Sequence, residues 1–513
     1  IGRLIHLAGM LGRKVMISSA TIPPSLAEGF FNAYQQGWCL HNAFKQQKQP
    51  VSCVWVDEFK TQIEIIEPNK TQECTTHYQT THQAFIAKRI EKLKQQVIKR
   101  KGYIVDCEAL YQQNTNNTES TGQQYFFLIQ KHIIELHQQH HTLDKQTGKK
   151  VSFGVVRMAN IPPCIALSQY LLNADWDNST APKIMAYHSR QVLLLRHEQE
   201  KHLDEVLKRK EKSGEAPQAF NNTVIRQHLN LTNANDVIFI LIATPVEEVG
   251  RDHDFDWAVI EPSSYRSIIQ LAGRVRRHRL QAINTPNIAI MQYNLRGLRH
   301  NNKPSYCRPG FENENSLRLK NHDLKTLLDE SHLQHAINAI PRIQEATPLR
   351  PQEQLADLEH KAISNSLKNY QAKGAKSLQA WLSEYWWMTA LPQQFNRFRA
   401  SSPDIQLFLA WQHNKAIFGE KDDKGHFVPR EGIYRITHEN IENDTIATRL
   451  WLSRNYYDSL CRLDEQQETN TVDLEKNIGY YSLRYGEISI AEHDKDKAFV
   501  YCDQFGLTLK KHN

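Results

Sequence analysis

The sequence predicts an α/β chain built around a parallel sheet covered on both faces, followed by a helical linker and a small mixed C-terminal domain. Three observations carry that prediction. From Val151 onward, short apolar runs alternate with stretches of helical periodicity. The run Val237 to Ala243 is apolar throughout, as a strand covered on both faces must be. A Q-x-x-G-R-x-x-R string, Gln270 to Arg277, follows shortly after a strand.

Taken in order, residues 3 to 12 read as a helix, and Lys14 to Ser18 as a strand running into Ser18-Ser19-Ala20-Thr21 and Pro23-Pro24. A second strand is expected over Val51 to Val56. A helix is expected where Ala84, Phe85, Ile86, Ile90, Leu93, Val97 and Ile98 recur at helical spacing. Asn114 to Gln123 reads as a low-complexity loop, Phe127 to Leu136 as a helix and Thr142 to Lys150 as a polar linker. Strands then follow at Val151 to Val156, Lys183 to Tyr187, Val237 to Ala243, Ala258 to Ile260 and Ile288 to Tyr293. Helices fall between them at Ile165 to Leu172, Gln191 to Lys212 and Ile268 to Arg277. Strand and helix in alternation imply a parallel sheet covered on both faces. Past residue 300 the pattern turns helical through Trp381, Trp386 and Trp387, and the last stretch mixes short aromatic strands and turns.

With 513 residues, 40% of them hydrophobic, the chain can bury several cores, and two to four domains are expected. The net charge of +7 is too small and too spread to identify a polyanionic partner by itself. The eight cysteines lie far apart with no C-x-x-C pair, so they read as reduced thiols rather than zinc ligands. No stretch approaches the roughly 20 apolar residues of a membrane span, and no signal-peptide pattern opens the chain, so a soluble, cytoplasmic protein is expected. The chain starts at Ile1 and enters an amphipathic helix directly, which suggests a fragment lacking an upstream partner.

In the arginine string, helical geometry would place Arg274 and Arg277 on one face, three residues apart. Two planar, permanently charged guanidinium groups aimed at one point suit the charge on a transferring phosphoryl group. The bland reading is a basic helix face, and an isolated G-R-x-x-R would favour it. Here the strand Val237 to Ala243 ends, some twenty residues earlier, in Thr244-Pro245-Val246-Glu247-Glu248-Val249-Gly250-Arg251-Asp252. Ligands of open parallel sheets sit at the carboxyl ends of strands, where this loop falls. Gly250 would let the backbone approach a phosphate, Asp252 could accept a ribose hydroxyl, and the Thr244 hydroxyl could touch a nucleic-acid backbone. Two further strands end in Arg157-Met158-Ala159-Asn160 and His188-Ser189-Arg190, whose Arg157, His188 and Arg190 could hold phosphates of a single strand. Taken singly, each is an ordinary loop residue.

Ser19-Ala20-Thr21, Thr244 to Asp252 and Gln270 to Arg277 resemble, in the correct order, the third, fifth and sixth motifs of superfamily 2 helicases. The wording from Ala243 to His278, including Asp254-Phe255-Asp256 and Glu261-Pro262-Ser263-Ser264, is similar to the CRISPR-associated helicase-nuclease of type I systems. It is most like the type I-F form fused to an integration subunit. The resemblance covers residues 1 to 40 and 151 to 300, and elsewhere extends only to length and general plan. It implies ATP and Mg²⁺ as cofactors, single-stranded DNA as substrate, and an RNA-guided surveillance complex and integration proteins as partners. It further implies catalytic roles for Arg274, Arg277 and Gln270, nucleotide contacts at Gly250, Asp252 and Gly273, and coupling of ATP state to lobe closure through Ser19 and Thr21.

The chain departs from the family in lacking a G-x-x-x-x-G-K-[ST] loop, so a complete ATP site is not expected within it. The Mg²⁺ ligands are likewise expected in another segment. No metal site and no HD nuclease is expected here. Asp57-Glu58 follows the S-A-T loop instead of preceding it, so it reads as a surface pair. His253-Asp254 falls within the fifth-motif loop, and His140-His141 reads as solvated. The expected domains are 1–40, the end of a first RecA-like lobe; 41–150, a bridging insertion; 151–300, the second lobe; 301–395, a helical linker; and 396–513, an accessory domain. Two alternatives stay open: a remodelling translocase that does not separate strands, and a non-enzymatic module binding nucleic acid or a partner.

Overall fold

The structure, a computed structural model, describes residues 1–19, 21–68, 70–113, 118–211, 214–299, 303–307, 310–395, 403–441, 443–466 and 473–510. The chain opens with α1 (Gly2–Met10) and α2 (Pro24–Lys45), then the hairpin β1 (Val51–Val56) and β2 (Thr61–Ile66), and α3 (Thr71–Lys94). The strand expected at Lys14 to Ser18 does not form: residues 13–19 are irregular, and Met16 is 90% exposed. An apolar run becomes a strand only where a neighbouring strand takes its backbone groups, and this one has none among the described residues.

The central sheet begins earlier in the chain than the alternation from Val151 implies. β3 (Gly102–Val105) is already a member, pairing in parallel with a strand almost two hundred residues later. The expected insertion at 41–150 is therefore corrected, since its second half belongs to the lobe. β3 escapes sequence reading because four residues entered from Lys99-Arg100-Lys101 are too short to show a period. After α4 (Glu108–Gln113), α5 (Thr118–His140) lays Tyr125, Ile129, Ile133 and Leu136 on the sheet at helical spacing. The low-complexity loop expected at 114–123 lies partly outside the described residues, and its second half is the start of α5. The expected linker at 142–150 is a hairpin in which β4 (Thr142–Leu143) pairs with β5 (Lys150–Arg157), its turn tied by Asp144 to Arg226 at 2.8 Å.

The remaining lobe runs α6 (Ile161–Asn173), β6 (Thr180–Tyr187), α7 (Leu193–Leu207), α8 (Thr223–Leu231), β7 (Asp236–Ala243), β8 (Trp257–Ile260), α9 (Tyr265–Ala272) and β9 (Ile288–Met291). The strand order is β3-β9-β8-β5-β7-β6, all parallel, with β4 off the path. Period-two alternation divides β7 between two cores: Val237, Phe239 and Leu241 face one side, Ile238, Ile240 and Ile242 the other. Where β5 meets β8, a Cβ on Gly154 would stand 2.1 Å from the Trp257 ring, so only glycine fits beside that indole.

Beyond β9 come short helices: α10 (Leu324–Leu327), α11 (Glu330–His335), α12 (Ile340–Ile343), α13 (Leu355–Leu367), α14 (Leu378–Ser383) and α15 (Leu391–Phe395). Ile5, Phe30 and Ala33 of the first two helices share a core with Leu378, Trp381 and Leu382, so the chain's beginning packs on this helical stretch. The terminal part holds β10 (Asp404–Gln412), β11 (Lys415–Lys421), β12 (Phe427–Pro429), α16 (Glu431–Tyr434), β13 (Ile436–His438), α17 (Asp444–Thr448), α18 (Tyr456–Gln466), α19 (Leu474–Tyr485), β14 (Glu487–Ala491), β15 (Phe499–Cys502) and β16 (Gly506–Leu509). These strands form a four-stranded and a three-stranded sheet whose core takes in Val192, Leu194 and Leu195 at the start of α7. Among the described residues no helix is long and apolar enough to cross a membrane.

Candidate nucleotide-facing site

The carboxyl end of β7 passes through Thr244 into a single 3-10 turn, Pro245–Glu247, and then into Gly250, which takes φ +74°. That left-handed conformation costs glycine nothing. No atom lies within 4 Å of where a Cβ would stand, so the loop opens outward there. Beneath the opening the loop is pinned by charge. Arg157 Nε donates to Glu248 at 2.9 Å; His253 bridges Glu247 at 2.7 Å and Asp204 at 3.2 Å; Arg251 pairs with Glu200 and donates to the Tyr187 hydroxyl at 2.6 Å.

The arginine string meets this loop, but not as a helix. Ser264 caps α9 by accepting from Ser267 N–H at 3.0 Å, and the helix ends at Ala272, with Gly273 as its C-cap. The expected helix through Arg277 is corrected: Val275 is fully buried and forms a parallel bridge to Phe255, and Arg276 turns the chain at φ +46°. Burying Val275 in the sheet's core outweighs continuing the helix. The two arginines consequently differ. Arg274 is 6% exposed and donates to the Glu248 carbonyl at 3.0 Å and to the Arg251 carbonyl, so it laces the loop together. Burial pulls its pKa below the usual arginine range, with Glu247 opposing and Arg277 adding to the effect. Arg277 stays 38% exposed and holds Asp252 at 2.7 Å. Burial works to raise the Asp252 pKa, but His278 and Arg277 together hold it below the ordinary carboxylate value.

A second layer of ions fixes the turn from below. Asp256 accepts from Arg209 and Arg279, both at 2.6 Å, and from Phe153 N–H at 2.8 Å, while Asp254 accepts from Arg279 at 2.6 Å. Burial would raise the Asp256 pKa, yet the two guanidiniums bring it down to about 2.

The structure brings Gly250, Asp252, Gly273, Arg274 and Arg277 into one neighbourhood, with Gln270 half-buried at the end of α9. It corrects the nucleic-acid set. Arg157 is fully buried, and besides Glu248 it donates to the Glu261 carbonyl at 2.7 Å and to Ser263 Oγ at 2.6 Å. His188 is also fully buried; burial, then the Arg454 charge, push its pKa down to about 3, so it is neutral and cannot grip a phosphate. Arg190 pairs with Asp494 of the terminal part at 2.9 Å, and Thr244 is only 4% exposed. Ser19 Oγ donates to the Thr21 carbonyl at 3.3 Å and accepts from Thr21 N–H at 3.4 Å, and Ala20 lies outside the described residues.

The Asp57-Glu58 pair is a surface turn, with Asp57 accepting from Phe59 N–H at 2.7 Å and Glu58 paired with Arg89 at 3.0 Å. His253 and Asp254 are both fully buried in the ion network described. His140 and His141, expected to be solvated, are half-buried and bonded to the carbonyls of Pro286 and His137 at 2.8 and 3.1 Å. Sequence reading missed Arg100, whose Nε donates to the Val275 carbonyl at 2.8 Å. Its signal, the triplet Lys99-Arg100-Lys101, gains meaning only once β3 is known to enter the sheet.

A family model described as CRISPR-associated nuclease/helicase Cas3, C-terminal, matches residues 150–280. The CRISPR-associated nuclease/helicase Cas3 of subtype I-F/YPEST from Pseudomonas aeruginosa is 32% identical over all of this chain and 45% of its own length. Over its whole length the chain is similar to part of a Cas3 protein. Its counterpart from Pectobacterium atrosepticum is 35% identical over 82% of this chain and 38% of its own. The chain thus spans less than half the length of these curated Cas3 relatives. A solved crystal structure of a CRISPR-associated protein aligns with the whole chain and 49% of its own, at 13% identity and a TM-score of 0.42.

Proposed function

We propose that this chain supplies the second half of an ATP site in a Cas3-type helicase acting on single-stranded DNA, with Arg277 meeting the phosphate under transfer. The observation that carries the proposal is the setting of Arg277. It is a part-exposed guanidinium at the carboxyl edge of a parallel sheet, on a turn locked by buried ion pairs and held by a single carboxylate. Exchanging Asp252 for a phosphate oxygen keeps the guanidinium paired while freeing Asp252 for a ribose hydroxyl. Arg274 keeps the loop in shape instead of touching the reaction.

An anionic triphosphate fits this edge, where Gly250 leaves room and Arg277 supplies charge. ATP bound there supplies the phosphoryl group whose transfer to water drives movement along DNA. Arg277 would stabilise the charge that grows in the transition state, acting from a frame that needs no reorganisation. Magnesium accompanying the triphosphate would need only one or two carboxylates besides phosphate and water oxygens. Its ligands, the phosphate-cradling loop and the nuclease would lie in a companion segment, and the resemblance of the sequence to type I systems makes an RNA-guided surveillance complex the partner we propose. The test is DNA-stimulated ATP turnover by the natural polypeptide containing this chain, set against the chain alone. Turnover by the polypeptide and none by the chain is expected. Robust metal-dependent turnover by the chain alone overturns the split site, and none by either overturns the motor.

A further inference from the structure

Arg100 lies outside every motif of the sequence and outside residues 150–280 matched by the family model. It stands between α3 and β3, on backbone fixed from several sides. Ile337 N–H donates to the Arg100 carbonyl at 3.0 Å, Ile283 N–H to the Ile98 carbonyl at 3.1 Å, and Lys101 N–H to Asn287 Oδ1 at 3.1 Å. From this base the Nε donates to the Val275 carbonyl, in the middle of the turn that carries both motif arginines. Among the described residues Arg100 has no ion pair. Burial lowers its pKa to about 10, with Asp254 opposing and the neighbouring Arg277 charge adding to the fall.

A half-buried cation without a directly paired carboxylate, set beside a second cation, is costly to keep. Its hydrogen bond has a definite geometric effect, because Arg276 sits in the left-handed region and the peptide plane of Val275 decides where the chain leaves the turn. We propose that Arg100 is a positioning residue of the arginine turn, holding the Val275 carbonyl so that Arg277 faces an incoming phosphate. This rests on the role given to Arg277 above. A lysine at position 100 would keep the charge but not the planar donor set that reaches the carbonyl.

The experiment compares Arg100→Ala, Arg100→Lys, Arg277→Ala and the Arg100→Ala/Arg277→Ala pair in the natural polypeptide, measuring kcat and KM for ATP at saturating single-stranded DNA. Loss of a charge-assisted hydrogen bond sets the scale at about tenfold to a hundredfold. Both Arg100 variants should lose kcat to that extent with KM within about threefold, and the pair should be no slower than Arg277→Ala alone, because one residue acts through the other. Full turnover in Arg100→Lys, or a pair slower than Arg277→Ala by the whole Arg100→Ala factor, overturns the proposal. If Arg100→Ala does not fold, Arg100→Lys and Arg100→Gln carry the test, and failure of Arg100→Lys to fold means a structural role and also overturns it. Normal turnover in Arg277→Ala would remove the underlying reading instead.

Discussion

Replacing Arg157 with alanine should unfold the lobe well before it affects DNA binding. Its guanidinium makes three bonds, to Glu248 at 2.9 Å, the Glu261 carbonyl at 2.7 Å and Ser263 Oγ at 2.6 Å, and no part of it reaches solvent. Removing one member of a buried ion pair costs about 3 to 5 kcal/mol, because the other charge remains in the interior unpaired. At about 2 to 4 °C per kcal/mol for a unit of this size, the melting temperature should fall by roughly 6 to 20 °C. Burial already holds the Glu248 pKa above the ordinary glutamate value in spite of Arg157. Without Arg157 it rises further, so the variant gains stability as the pH falls and Glu248 takes a proton, and loses it as the pH rises through the folded-state pKa. Urea titrations followed by circular dichroism at about pH 8 and pH 5 measure both effects, and the deficit should be smaller at pH 5. A deficit below about 1 kcal/mol accompanied by weaker DNA binding would refute the structural role and restore Arg157 to the nucleic-acid surface.

Two further outcomes follow from the interior of the lobe. His188, with its pKa lowered by burial from 6.5 to about 3, favours the native state above the unfolded value and withdraws that support as the pH falls. By about pH 4.5 the loss is roughly 3 kcal/mol, and His188→Gln should flatten the fall in urea midpoint between about pH 6.5 and 4.5. Gly154→Ala should cost at least about 1 to 3 kcal/mol by overpacking, because the Trp257 ring is held in place by its Nε1–H bond to Ser152 Oγ at 3.0 Å. An unchanged urea midpoint in that variant would contradict the close approach.

Much of the lobe was legible because a buried parallel strand is a continuous apolar run, and Val237 to Ala243 can hardly be anything else. What the sequence hid was short or non-local. β3 is four residues long and finds its partner at Ile288–Met291. The partners that bury Arg157 stand 91, 104 and 106 positions along the chain, so nothing local distinguishes it from a loop arginine waiting for a phosphate. His188 is hidden in the same way, covered by the terminal part that brings Arg454 and Phe505 against it. The helix through Arg277 was a fair inference from period, but the bridge between Val275 and Phe255 is a tertiary contact that no window of sequence contains. Loop order and arginine spacing place these residues at the carboxyl end of β7, where the structure has them. They could not show that Arg274 is enclosed and Arg277 open.

Whether that asymmetry carries catalysis is decided by ATP turnover. ATP turnover at saturating single-stranded DNA is compared for the natural polypeptide and its Arg277→Ala and Arg277→Lys variants, with DNA affinity measured alongside. A catalytic Arg277 gives a fall on the order of a thousandfold for Arg277→Ala, poor rescue by lysine because an ammonium lacks the paired planar donors, and DNA affinity close to the parent's. Turnover that survives while DNA affinity and its salt dependence drop would make Arg277 part of a basic patch, and the catalytic role given to this edge of the sheet would be contradicted.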